Sequence, residues 1–206
     1  MNSKPIKTVL PALCLLAVLI AAAWPGRAWA VDFEAGITIR KTGAPVSGYV
    51  FISGPKVRMD IYGREGTVIT ISRPDKGLTW IVNVPRKEYI EIRGLAVNPL
   101  GWRSPEQWDK LAEKKELGTD TVQGYLCDKT LYTFFDKEKG VVMEWRARKL
   151  DYIIKVILYD PKGLTTTELG RIKEGPIDEI AFEIPDGYKR VAVSDSPTRG
   201  SRQGQE

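Results

Sequence analysis

From Phe33 onward, apolar and polar residues alternate with a period of two, the period of a β-strand. Phe33, Ala35, Ile37 and Ile39 fall on one side of the first run, 33–40. The turn Thr42-Gly43-Ala44-Pro45 separates it from a second run, 46–53, and Gly54-Pro55 opens a third, 56–62. In the third run Val57, Met59 and Ile61 point one way, while Arg58 and Asp60 point the other, onto what should be a solvated face. Runs 67–72, 78–83 and 87–93 follow. The first two of these are parted by Pro74-Asp75-Lys76-Gly77, where proline fixes φ and glycine supplies a positive one. Strands at this spacing predict a meandering antiparallel sheet.

The pattern then changes. Ser104 is a helix N-cap, Pro105 suits the first helical position, and Gln107 stands three after the cap. Trp108, Leu111 and Ala112 follow at helical spacing, so a lid helix is expected to run to about Glu116. Strand patterns resume over 117–123, 125–135, 141–150, 152–159 and 164–173, and 182–188 closes the domain. The fold class expected is mainly β: one antiparallel sheet of ten or eleven strands with a single helix.

Several strands are apolar on both faces. Tyr152-Ile153-Ile154-Lys155-Val156-Ile157-Leu158-Tyr159 carries one lysine, and Leu131-Tyr132-Thr133-Phe134-Phe135 is similar. In 77–82, Leu78, Trp80 and Val82 share one face and Ile81 takes the other. One short helix cannot cover so much apolar surface. A sheet that curls on itself buries its inner face with the helix as a lid. Alternatively an apolar hollow stays open for a ligand. A filled core accounts equally well for Trp80, Met59 and Trp145.

The first thirty residues change the chemistry more than the fold. Lys4 and Lys7, an apolar stretch from Val9 to Ala23, and Ala28-Trp29-Ala30 have the order of a secretory signal peptide cleaved after Ala30. The expected organisation is a signal over 1–30, one domain over 31–193 and a disordered tail over 194–206. Export places the mature chain in the periplasm, not integral to the membrane. The formal charge of +5 falls once Lys4, Lys7 and Arg27 leave, with 28 basic against 26 acidic residues remaining. That is no nucleic-acid-binding balance. Cys14 leaves too, so Cys127 has no partner for an internal disulfide. The chain has no histidine, which excludes histidine-based nucleophile systems and the commonest metal ligand. With one mature cysteine, no metal or cofactor is expected, and Gly63-Arg64-Glu65-Gly66 lacks the lysine and helix of a phosphate loop. An enzyme would have to use carboxylate pairs such as Glu88 with Glu91 or Asp178 with Glu179, and nothing marks these as a site. The expectation is a non-enzymatic monomer.

The order of pieces in GYVFISGPKVRMDI and GTVITISRPDKGLTWIVNVPRKEYIEI, with the closing Phe182-Glu183-Ile184-Pro185-Asp186-Gly187-Tyr188, resembles the LolA-like superfamily of periplasmic lipoprotein carriers. The match is closer to members of unassigned function: the mature chain enters a strand near Phe33, and Gly54 stands where carriers place a basic residue. The resemblance implies an eleven-stranded half-barrel whose apolar inner face, plugged by helices, shields acyl chains of lipids or lipoproteins. Candidate lining residues are Val57, Met59, Ile61, Leu78, Trp80 and Val82, with Trp108, Leu111 and Ala112 on the lid. The alternative is a sensor or interaction module recognising an envelope protein, through Trp102, Trp108 and the basic run Lys110, Lys114 and Lys115.

Overall fold

The computed structural model describes residues 31–94, 97–103 and 105–192. The expected signal peptide, Ser104 cap and C-terminal tail lie outside these residues. Twelve strands form one open sheet: β1 Phe33–Arg40, β2 Val46–Ser53, β3 Lys56–Gly63, β4 Gly66–Arg73, β5 Leu78–Asn83, β6 Glu88–Arg93, β7 Ala112–Val122, β8 Tyr125–Phe134, β9 Val141–Ala147, β10 Tyr152–Asp160, β11 Gly163–Glu174 and β12 Lys189–Arg190. Their order is β12-β6-β5-β4-β3-β2-β1-β11-β10-β9-β8-β7. Every pairing is antiparallel except the two-residue β12 beside β6. This is the mainly β, single antiparallel sheet that the strand pattern predicts, with twelve strands where ten or eleven were expected.

The central helix is shorter than expected. Helix α1 covers only Pro105–Asp109, and Ala112 already begins β7. Glu113, Lys114, Lys115 and Glu116 are good helix formers, but here they serve an edge strand. Nine consecutive residues of β7 are exposed, and charged side chains guard such an edge against unwanted pairing. Tertiary pairing with β8 thus overrides local propensity. The ladder slips between Glu116 and Thr119, where Gly118 takes a positive φ of 85°, a bulge geometry that glycine adopts without strain.

Register defines the two faces. Val57 pairs with Ser72 and Ser72 with Thr79; in the other direction Val57 meets Ile52, and Ile52 meets Phe33. These residues share one face, called inner. Arg58 pairs with Ile71 and Ile71 with Trp80, on the outer face.

Each face has its own cover. On the outer face Phe182, fully buried, plugs a core of Ile69, Ile71, Leu78, Trp80 and Val82. Arg73 holds this cover down: its guanidinium donates to the Phe182 carbonyl at 3.1 Å and pairs with Asp75, Glu179 and Glu183. Arg58 donates to the Ala181 carbonyl at 3.0 Å and grips Asp60 through two nitrogens. The Arg58–Asp60 pair is therefore roofed by 177–184 rather than solvated, because the C-terminal stretch needs donors for its free carbonyls. Lys56 completes the clasp by pairing with Glu179 and lying over the Phe182 ring.

Candidate functional site

The inner face is covered by the connection between β6 and β7. The Val97 amide donates to Thr79 Oγ1 on β5 at 3.3 Å. Leu100 and Trp102 pack on the central cluster built from Phe33, Ala35, Ile37, Val50 and Ile52. Trp108 stacks on Tyr132 of β8, ring centroids 4.8 Å apart. The described parts of this connection, 97–103 and 105–109, thus lie across the face from β5 to β8 like a strap.

The strap does not fill the space beneath it. A cavity of 240 Å³ remains, bounded above by Leu100, Gly101, Trp102 and Trp108. Its floor is the inner face of β8 to β11: Phe134, Val142, Glu144, Val156, Leu158, Thr165 and Thr167. The alternation of β9 and β10 produces this floor, since Val142 pairs with Leu158 and Glu144 with Val156. The volume is just under the roughly 300–1,000 Å³ usual for ligand pockets, and the apolar lining with few polar groups is the usual chemistry.

Polar groups around the cavity are incompletely satisfied. Glu144 is 6% exposed and accepts from the Tyr132 hydroxyl at 3.1 Å. Burial pushes the Glu144 carboxyl above the usual carboxylate range, opposed by the Tyr132 hydrogen bond and by nearby Arg146. Burial also raises the Tyr132 hydroxyl, and the Glu144 charge adds to the effect. The Trp108 Nε1 and Tyr152 hydroxyl are buried without a hydrogen bond. Tyr152 touches the strap directly, its ring 5.1 Å from that of Trp102.

Glu144 is also the boundary with a second, polar hollow of 450 Å³, which includes Lys114, Glu116, Asp128, Arg146 and Arg148. The inner face therefore passes from apolar to charged across one buried carboxylate.

The six lining candidates divide between the faces. Val57, Met59 and Ile61 lie on the inner face, within the central cluster beside the strap. Leu78, Trp80 and Val82 lie on the outer face beneath Phe182. None of the six borders the 240 Å³ cavity. Of the lid candidates, Trp108 borders it, Leu111 donates its amide to the Trp108 carbonyl at 2.8 Å, and Ala112 starts β7. Trp102 and Trp108, considered as a partner surface, instead turn inward. Three of the four carboxylates considered for catalysis have structural partners. Glu91 accepts from Trp80 and Arg93, while Glu88 lies on the opposite face. Asp178 caps the turn at Ile180, and Glu179 pairs with Lys56 and Arg73. Glu144 was not among the sequence candidates. Its signal was there: a lone acid among Val141, Val142, Met143 and Trp145.

Similar architecture occurs in solved structures. An uncharacterized conserved protein from Thermus thermophilus superposes with a TM-score of 0.59 at 9% identity, over 79% of this chain and 91% of that one. MucB, in the Pseudomonas aeruginosa MucA/MucB complex, gives a TM-score of 0.52 at 16% identity, over 76% of this chain and 56% of that one. This chain thus spans little more than half of MucB. A LolA superfamily protein from Nitrosomonas europaea matches over 75% of this chain and 91% of its own, at 11% identity and a TM-score of 0.36. At such identities the likeness to the first two is one of fold alone. No family model and no curated protein matches the chain. Among the described residues, no helix is long and apolar enough to cross a membrane.

Proposed function

We propose that this chain is an exported envelope protein that binds an acyl chain of a lipid or lipoprotein between the strap and the inner face. The observation that carries the reading is the apolar cavity under 97–109, lying against strands that are apolar on both sides. Burial of an alkyl chain there contributes about 0.8 kcal/mol per methylene. The cavity is small, so a long chain requires the strap to lift. Lifting it exchanges the Val97–Thr79 hydrogen bond and the Trp102 and Trp108 ring contacts for contacts with the chain.

The test is native mass spectrometry of the mature protein taken from the periplasm, with organic extraction of bound material. A stoichiometric acyl-bearing molecule supports the reading. Protein that arrives empty and ignores added lipid and hydrophobic probes overturns it. In that event the second reading, an envelope sensor or interaction module, takes over. The favouring observation is β7, an exposed and unpaired edge eleven residues long.

A further inference from the structure

The charges around Glu144 are already engaged with one another. Lys114 pairs with Glu116 at 3.0 Å, Arg146 with Asp151 at 3.1 Å, and Arg148 with Asp128 at 2.6 Å. Glu144 is the exception among the acids lining the two hollows: among the described residues it has no cationic partner. Its one hydrogen bond comes from a neutral hydroxyl. The Trp108 Nε1 is buried near the same carboxylate and helps to lower it, yet lies outside normal hydrogen-bond geometry. A buried carboxylate with a single neutral donor is under-satisfied, and a cation or donor placed against it relieves the deficit.

We propose that Glu144 selects the head group of the cavity's occupant: it accepts an amphiphile whose head is an ammonium or another hydrogen-bond donor and rejects an anionic head. This rests on the reading that the cavity takes an apolar chain. The chain lies among Leu100, Val142, Val156 and Leu158, and the head comes to rest at the apolar-to-polar boundary. There an N–H or O–H donates to Glu144. An anionic head would face the carboxylate in a water-poor site, where repulsion is strong. The other charged or titratable groups of the hollow beside the carboxylate are Tyr132, Asp128 and Lys129 on β8, Lys114 and Glu116 on β7, Arg146 on β9 itself and Arg148 just after it. The strap adds Arg103, over the Trp108 ring, and Asp109, whose charge acts on Tyr132. From β10 and β11 the cavity receives Val156, Leu158, Thr165 and Thr167, none of them titratable.

The experiment displaces a fluorescent hydrophobic probe from the mature protein with dodecylammonium, dodecanol and dodecanoate near neutral pH. Dodecylammonium is expected to bind about tenfold or more tighter than dodecanoate, one charge-assisted hydrogen bond being worth at least that factor, with dodecanol between. Glu144→Gln is expected to erase the preference for dodecylammonium over dodecanoate, read as the ratio of the two affinities. Lowering the pH through the raised Glu144 pKa should weaken dodecylammonium alone, because the ligand stays cationic while its partner is neutralised. The ranking and its pH dependence are read on the wild type, so they decide the matter even if the variant fails to fold. Equal binding of the three heads, or a ranking that survives Glu144→Gln, overturns the inference and leaves chain binding intact. If none of the three binds, chain binding falls and the inference falls with it.

Discussion

Residues 177–188 and residues 97–109 each lie across one face of the same sheet, yet they hold to it by different means. The outer cover is riveted. Phe182 fills its slot completely, Arg73 and Arg58 cap backbone carbonyls, and Glu179 and Glu183 meet lysines and arginines. The Val191 amide then donates to the Tyr89 carbonyl at 2.9 Å, fixing the end beside β6. The inner cover is laid on. It meets the sheet through a hydrogen bond from Val97 to Thr79 and ring contacts at Trp102 and Trp108, and space beneath it stays unfilled. Unbonded polar atoms occur at this cover, where Trp108 and Tyr152 carry them. A cover that satisfies every group serves stability, whereas one that leaves groups wanting is suited to exchange its contacts for those of a ligand.

The contrast can be broken most forcefully at Phe182. Phe182→Ala should cost about 3–5 kcal/mol, the usual range for emptying a fully buried aromatic site, read as a lowered urea midpoint. Should the loss stay within 1 kcal/mol, roughly the scale of a surface change, the outer cover is no rivet. The next effect is in the timing of hydrogen exchange. The Val97 and Gly101 amides should exchange well before those of Glu183 and Val191, because local opening follows weakly held segments. Equal protection would put the two covers on the same footing.

Acid and base should then act on the two covers in opposite directions. The Arg73 hydrogen bond holds the Asp75 carboxyl low, and against the pull of burial Lys76 and Arg73 hold Glu183 low. Their contribution to stability is present above the usual carboxylate range and is lost as pH falls through their depressed values. Glu144 is raised, so the native state holds its proton longer than the unfolded chain does. Its linkage therefore favours the fold at low pH and is lost as pH rises from the ordinary carboxylate value through the raised one. Denaturation curves across this window should show wild-type stability falling relative to Glu144→Gln, and a flat difference would refute the sign. The smallest expected effect is Thr167→Leu, which adds apolar volume to the cavity floor. Stability should change by no more than about 1 kcal/mol, while probe binding is lost; unimpaired binding would place the ligand elsewhere.

Strand positions were legible in the sequence because period-two alternation and turn chemistry are local signals. The bounds of β1, β2 and β5 are those the pattern predicts. The extent of α1 was not legible, since 113–116 suits a helix locally and only its neighbour β8 makes it a strand. The inner face was half legible. Alternation shows that Val57, Met59 and Ile61 share a face, and likewise Leu78, Trp80 and Val82. Whether the two sets share one face depends on the register through β4, where Ser72 faces Thr79. Periodicity within strands contains no such information. The same limit hid Glu144, whose meaning depends on Tyr132 across the ladder and on a strap that arrives from a distant part of the chain.

The seam at β1 has a further consequence, for the order in which the chain acquires its shape. β1 lies in mid-sheet, bonded to its neighbour β2 on one side and on the other to β11, nearly the last strand made. The strands from β1 to β6 can zip up as successive hairpins, and those from β7 to β11 can do the same, but the two halves join only when Ile37 finds Leu169. Closing so long a loop is slow. Until β11 reaches β1, the sheet can exist only as two separate meanders.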